Sequence, residues 1–78
     1  MSRRISVGVC QVSGKPYAAD ANRAAGVAAA EEAFERGADV AVLPELLVPG
    51  YVADRERLLP LAEPIDGPTV TAWRAVAA

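Results

Sequence analysis

One carboxylate stands alone in an apolar stretch. Glu45 follows Val40-Ala41-Val42-Leu43-Pro44 and precedes Leu46-Leu47-Val48, and no other acid lies between Asp39 and Asp54. Apolar surroundings disfavour the charged form of a carboxyl by desolvation. That suits the group to taking a proton near neutral pH, the work of a general base. The competing role is plainer: a glutamate just past a strand can cap the next helix or lie in solvent. Other reactive side chains are few. The 78 residues contain one cysteine, Cys10, one lysine, Lys15, and no histidine. A lone cysteine allows no internal disulfide. Without histidine, metal sites of the usual His/Cys kind are excluded within this segment.

The elements around Glu45 would present it at one end of a sheet. Val40 to Leu43 is short and rich in β-branched residues and reads as a buried strand. Pro44 ends it, because proline has no N–H to give to a ladder. Pro49-Gly50 then makes a turn. An earlier strand is expected over Ile5–Val12, where Ile5, Val7 and Val9 alternate with Ser6, Gly8 and Cys10. The second set is small, which implies cover on both faces and close packing over Gly8. Cys10 lies within this strand and packs as a small hydrophobe.

Between the two strands the spacing predicts a helix over about Asp20–Arg36. Asp20 is its expected N-cap or first-turn acid, with Asn22 the alternative cap. Ala24, Val27, Ala30 and Phe34 form its apolar stripe. Gly26, costly inside a helix, marks a tight helix–sheet contact, and Gly37 is the C′ stop. Strand–helix–strand of this length implies a parallel pair. Glu45 and the loop Ser13–Tyr17, in which Lys15 is solvated, then leave the sheet at the same end and border one cleft. In open α/β sheets chemistry gathers at that end.

Beyond Tyr51, Asp54 is positioned to cap a single helical turn that Pro60 stops. Leu61–Pro68 is turn-rich. Pro68 suits a first helical position, and a helix over Thr69–Ala78 would put Val70, Trp73, Val76 and Ala77 on one face.

The run Gly37-Ala38-Asp39-Val40-Ala41-Val42-Leu43-Pro44-Glu45, followed by Pro49-Gly50-Tyr51, closely resembles the first signature of the nitrilase superfamily, the carbon–nitrogen hydrolases. Ala62-Glu63-Pro64-Ile65-Asp66-Gly67-Pro68 resembles a loop that the family often carries before its second helix. The resemblance implies that Glu45 is the catalytic general base and that Tyr51 is substrate-binding. It also places a usual family glutamine at Gln11, at the end of the first strand. There Gln11 either braces the active-site loops by a hydrogen bond or is an ordinary polar residue at a strand end.

The family's fold is a four-layer α-β-β-α sandwich. On this resemblance, residues 1–78 form a partial α/β domain, the βαβα N-terminal portion of that sandwich. The implied chemistry joins a glutamate, a lysine and a cysteine to cleave non-peptide C–N bonds in amides, nitriles or carbamoyl compounds. Only the glutamate has a counterpart. Cys10 lies within the first strand, whereas the family's cysteine follows a much later one. Lys15 precedes Glu45, whereas the family's lysine comes after it. The segment by itself is therefore expected to be inactive. A small-molecule amide or nitrile substrate and a homo-oligomer are implied for the full-length enzyme, with no cofactor and no metal.

Composition narrows the alternatives. Hydrophobic residues make up 53% and charged residues 23%, which favours a globular chain over disorder. The net charge is −2 and the eight basic residues are scattered, so no nucleic-acid partner is indicated. No apolar run approaches the roughly 20 residues that span a bilayer, and the N-terminus lacks the apolar core of a signal peptide. A cytoplasmic location is the expectation. Two other readings compete with an enzyme: a non-catalytic truncated relative or interaction module, and an unrelated small α/β binding domain. The second lacks a phosphate-cradling Gly-x-Gly-x-x-Gly loop. The stripe Val70, Trp73, Val76 and the segment Leu46-Leu47-Val48 need cover that so short a chain cannot fully supply, so a large exposed apolar patch is expected, with a tendency to associate or stay partly unfolded.

Overall fold

A computed structural model describes residues 2–78. The chain runs β1 (Val7–Val9), α1 (Ala19–Glu35), β2 (Val40–Val42), α2 (Arg55–Leu58), a 3₁₀ turn at Leu59–Leu61, and α3 (Pro68–Ala77). The strands pair in parallel, with Val7 opposite Val40, Gly8 opposite Ala41 and Val9 opposite Val42. The expected βαβ unit and the α/β class are therefore present.

Both strands are shorter than the sequence suggests, β1 markedly so. Among the described residues each has only the other as a partner, and local bonds close the ladder. Before β1, the Ser6 N–H donates to Asp39 Oδ2 at 2.9 Å, and the Ser6 carbonyl accepts from Asp39 N–H at 2.7 Å. After β1, the Cys10 N–H donates to the Val42 carbonyl at 2.9 Å. Pro44, which has no N–H, then rules out further pairing.

Helix α1 starts and stops differently from a helix with two capped ends. Its N-cap is Ala18, which makes no side-chain cap bond. Neither expected cap plays that part. Asp20 lies inside the first turn and pairs with Arg23 at 3.0 Å, while Asn22 turns inward. At the other end Gly37 adopts φ +95°. Its N–H donates to the Phe34 carbonyl and that of Ala38 to the Ala33 carbonyl, both at 3.0 Å. This pair of bonds is the left-handed glycine stop that the sequence predicts.

The helix lies on the sheet where Gly8 removes a side chain. A Cβ there would stand 2.9 Å from Ala33 Cβ. Gly26 marks a different contact from the one expected. A Cβ there would stand 2.7 Å from Trp73 Cη2 and 3.0 Å from Leu47 Cδ2, so this glycine seats α3 and the turn after β2 rather than the sheet. The buried line of α1 is accordingly Asn22, Gly26 and Ala30, and Ala24 is exposed. Helix α1 is gripped between the strands on one side and α3 on another, which rotates its inward face away from Ala24. On α3, Val70, Trp73 and Val76 are half-buried, while Ala77 is exposed.

The sheet is covered on one face only. Gly8 and Ala41 face α1, while Val7, Val9, Val40 and Val42 point away and are exposed, Val9 at 74%. The exposed apolar patch is thus the outer face of the sheet and not the two segments expected to lack cover: Leu47 is buried and Val48, Val70, Trp73 and Val76 are half-buried, because Gly26 seats Leu47 and Trp73 on α1. No helix among the described residues is long and apolar enough to cross a membrane.

Candidate active site

Glu45 follows β2 after two residues, and the backbone turns sharply at its C-terminal side. Leu46 adopts φ +53°, a left-handed conformation that bulky side chains rarely take. Its consequence is a division of labour along the turn. Leu47 goes inside, 5% exposed, against Gly26, while Glu45 and Leu46 stay at the surface. Apart from Gly37, every left-handed residue of the described chain lies in this turn or in the loop facing it: Tyr17 at φ +59°, Leu46, and Gly50 at φ +85°. Strained non-glycine backbone of this kind persists where surrounding contacts over-determine it.

Those contacts are mostly between backbones. The Tyr17 N–H donates to the Pro49 carbonyl at 2.7 Å. Two glycines let the loops cross. A Cβ on Gly14 would lie 2.7 Å from the Leu47 carbonyl oxygen, and one on Gly50 would lie 2.7 Å from that of Lys15. Beneath the crossing sits the Asn22 amide, 3% exposed. Its Oδ1 accepts from Lys15 N–H, and its Nδ2 donates to the Lys15 and Val48 carbonyls, each at 2.8 Å. The Arg57 guanidinium stacks on the Tyr17 ring, 3.8 Å from its centroid. That holds the loop against α2, which Asp54 caps by accepting from Glu56 and Arg57 N–H as the sequence predicts.

The two loops border one open groove of about 400 Å³, lined by Ser13, Gly14, Pro44, Glu45, Leu46 and Tyr51. The structure therefore brings Glu45 and Tyr51 together, at the end of the sheet anticipated from the βαβ order. It does not enclose Glu45. Pro44, Glu45, Leu46 and Tyr51 are all exposed, Tyr51 at 77%. The apolar setting expected for the carboxyl is not formed by residues 2–78, because Leu47 alone of its neighbours turns into the core. Gln11 is exposed in an adjoining groove beside Val42, Leu43 and Pro44, and among the described residues its side chain bonds to neither loop. Cys10 lies just past β1 and is half-buried under α1, its Sγ 3.7 Å from the Ala29 carbonyl oxygen. Lys15 is exposed, as its loop position suggests.

Asn22 is the residue that sequence reasoning missed. A cap was the natural role for an asparagine near a helix start. The available clue was its spacing: Asn22, Gly26 and Ala30 recur every four residues and so share one face.

A second polar cluster fixes α3. Glu63 accepts from the Thr69 N–H at 2.7 Å and from the Thr69 hydroxyl at 2.6 Å, so it caps α3 from outside the helix. Arg23 reaches Glu63 at 3.3 Å and the Thr69 hydroxyl at 3.0 Å. The Thr69 hydroxyl and N–H, and then Arg23, hold the Glu63 carboxyl below the usual glutamate range. A lowered native value means that the charged form stabilises the fold. The contribution is full above the ordinary glutamate value and disappears as pH falls through the native one. Trp73, the only tryptophan, packs on Gly26 and reports the docking of α3. The parent should therefore exceed Glu63→Gln in urea midpoint, followed by Trp73 fluorescence, at pH 6. The gap should narrow as pH falls below the ordinary glutamate value and vanish once the native carboxyl is protonated. A gap that stays constant with pH would mean that the charge of Glu63 contributes nothing.

The model of one protein family, Carbon-nitrogen hydrolase, matches residues 6–78. Comparison with curated proteins and with solved structures found no significant match. The family match takes in both strands, the crossover helix, the Glu45 turn and the loop leading into α3, and on that extent the chain belongs to the carbon–nitrogen hydrolase family of the nitrilase superfamily.

Proposed function

We propose that Glu45 is the general base of a hydrolase that cleaves non-peptide C–N bonds in a small amide, nitrile or carbamoyl substrate. The observation that carries this reading is the placement of Glu45 on the groove it shares with Tyr51 and the Ser13–Tyr17 loop. Its carboxylate has no hydrogen bond or ion pair of its own there among the described residues, and it is free to exchange a proton with a partner entering the groove.

In this reading Glu45 takes the proton of a cysteine thiol. The thiolate attacks the amide or nitrile carbon, and a lysine stabilises the charge that develops on the tetrahedral intermediate. For an amide, the proton passes from Glu45 to the departing amine. Water then adds to the thioester with Glu45 again accepting a proton; as the C–S bond breaks Glu45 returns that proton to the cysteine sulfur, the acid leaves and the thiol is regenerated. Tyr51 contacts the substrate from the groove wall. We assign the lysine and the cysteine to chain outside residues 1–78, since Lys15 precedes Glu45 in the chain, whereas the family's lysine follows it, and Cys10 packs beneath α1. The bare valine face of the sheet supports a second sheet as its cover, as in a four-layer sandwich.

The test compares residues 1–78 with a longer chain in which they run on into the family's lysine and cysteine segments. Ammonia or amine release is measured from panels of small amides, nitriles and N-carbamoyl compounds. The longer chain should turn over at least one class, and residues 1–78 alone should turn over none. Release by residues 1–78 alone would refute the division of labour, and a folded longer chain inert on every class would refute the activity.

A further inference from the structure

We infer that Asn22 is a positioning residue for Glu45, acting through the loop crossing; the inference rests on the reading of Glu45 as the base. The side-chain amide makes three directional bonds, all of them to two loops. Its oxygen holds the Lys15 N–H, one of its N–H groups holds the Lys15 carbonyl, and the other holds the Val48 carbonyl, all at 2.8 Å. Lys15 belongs to the loop that forms one wall of the groove, and Val48 lies three residues beyond Glu45. Asn22 itself sits within the first turns of α1, a helix of 17 residues that is packed on the sheet at Gly8 and on α3 at Gly26. A rigid element thus sets the separation of the two walls and the path of the Glu45 turn.

The requirement is for an amide. Two acceptors and one donor face the site, so one oxygen and two N–H groups are needed. A carboxylate of the same shape would turn an oxygen, in place of Nδ2, toward the two carbonyls. The left-handed Leu46 makes the coupling direct. Only Leu46 and Leu47 separate Glu45 from Val48, and Leu47 is buried, so the turn has little slack in which to absorb a shift at Val48. A displacement of about 1 Å at a catalytic group can cost about 10²-fold in rate.

The test is a double-mutant cycle in the longer hydrolase chain, with Asn22→Asp, Glu45→Gln and the pair, and with turnover measured on protein shown folded by circular dichroism. Asn22→Asp alone should lower kcat by about 10²-fold with KM changed less than about threefold. In the Glu45→Gln background the same change should cost almost nothing, because the base it positions is already gone. A residue with a merely structural role would cost the same factor in both backgrounds, and that result would overturn the inference while leaving Glu45 as the base. Turnover unchanged by Glu45→Gln would overturn the reading of Glu45 and the positioning role together. Should Asn22→Asp fail to fold, Asn22→Ala removes the amide without setting a charge against the carbonyls, and the same cycle applies.

Discussion

Glu45→Gln in the longer hydrolase chain should lower turnover by about 10²–10⁴-fold, the usual contribution of a positioned general base. The amide keeps the shape of the carboxyl and loses its ability to accept a proton from a thiol or a water. Where base, nucleophile and lysine act as a unit, the loss can exceed the contribution of one step. The structure adds a reason to expect the fold to survive. Glu45 is exposed, and among the described residues its carboxylate makes neither a hydrogen bond nor an ion pair. Surface changes away from packing or bonding features usually alter stability by less than about 0.5 kcal/mol. Unchanged urea midpoints together with collapsed turnover would locate the effect in the chemistry. Near-normal turnover would make Glu45 a surface residue of the turn and no more.

Gly50→Ala should produce the largest loss of stability among the conservative substitutions at the loop crossing. Two costs coincide there. Gly50 adopts φ +85°, where a Cβ meets the following carbonyl oxygen at about 1–2 kcal/mol. The added Cβ would also lie 2.7 Å from the Lys15 carbonyl oxygen and 3.0 Å from Pro16 Cα. Both neighbours are backbone, so the loop must move as a whole. Forced repacking of this kind costs a further amount of about 1–3 kcal/mol. Moving the loop also strains the Tyr17–Pro49 bond and the Asn22 bonds to Lys15.

Gly37→Ala is the control. Its φ of +95° carries a comparable conformational cost, but nothing lies within 4 Å of the added Cβ. The expected losses are about 2–5 kcal/mol for Gly50→Ala and about 1–2 kcal/mol for Gly37→Ala. For a domain of this size, the larger figure is a good part of the whole stability. Urea midpoints read by Trp73 fluorescence decide the matter. Equal losses at the two sites would show that the loops separate without cost.

Local pattern and local chemistry were enough for the elements. Period-two spacing around Gly8, helical spacing from Asp20 to Arg36 and the return to a β-branched run gave a parallel pair with a helical crossover. Gly37 announced the helix stop and Asp54 the cap, because each acts through its own backbone or its nearest neighbours; Pro60, expected to stop the turn, lies inside the 3₁₀ turn Leu59–Leu61 that carries α2 on. The acid at the end of the second strand was legible for the same reason, and its motif pointed to the family. These features depend on residues a few positions apart, and sequence order preserves such relations.

The remainder depended on which surfaces meet. That Gly26 seats Trp73 rather than the sheet, that Asn22 ties Lys15 to Val48 rather than capping α1, and that Glu63 caps α3 all require partners 6 to 47 positions away. The exposure of Glu45 is of the same kind. Its neighbours in sequence are apolar, but a left-handed Leu46 sends only Leu47 into the core. Sequence by itself determined the order of the elements and the identity of the acid, since those follow from backbone preferences and side-chain type. Only the tertiary structure decided how that acid is held, because its position is set by hydrogen bonds and close contacts between loops that the chain order keeps apart.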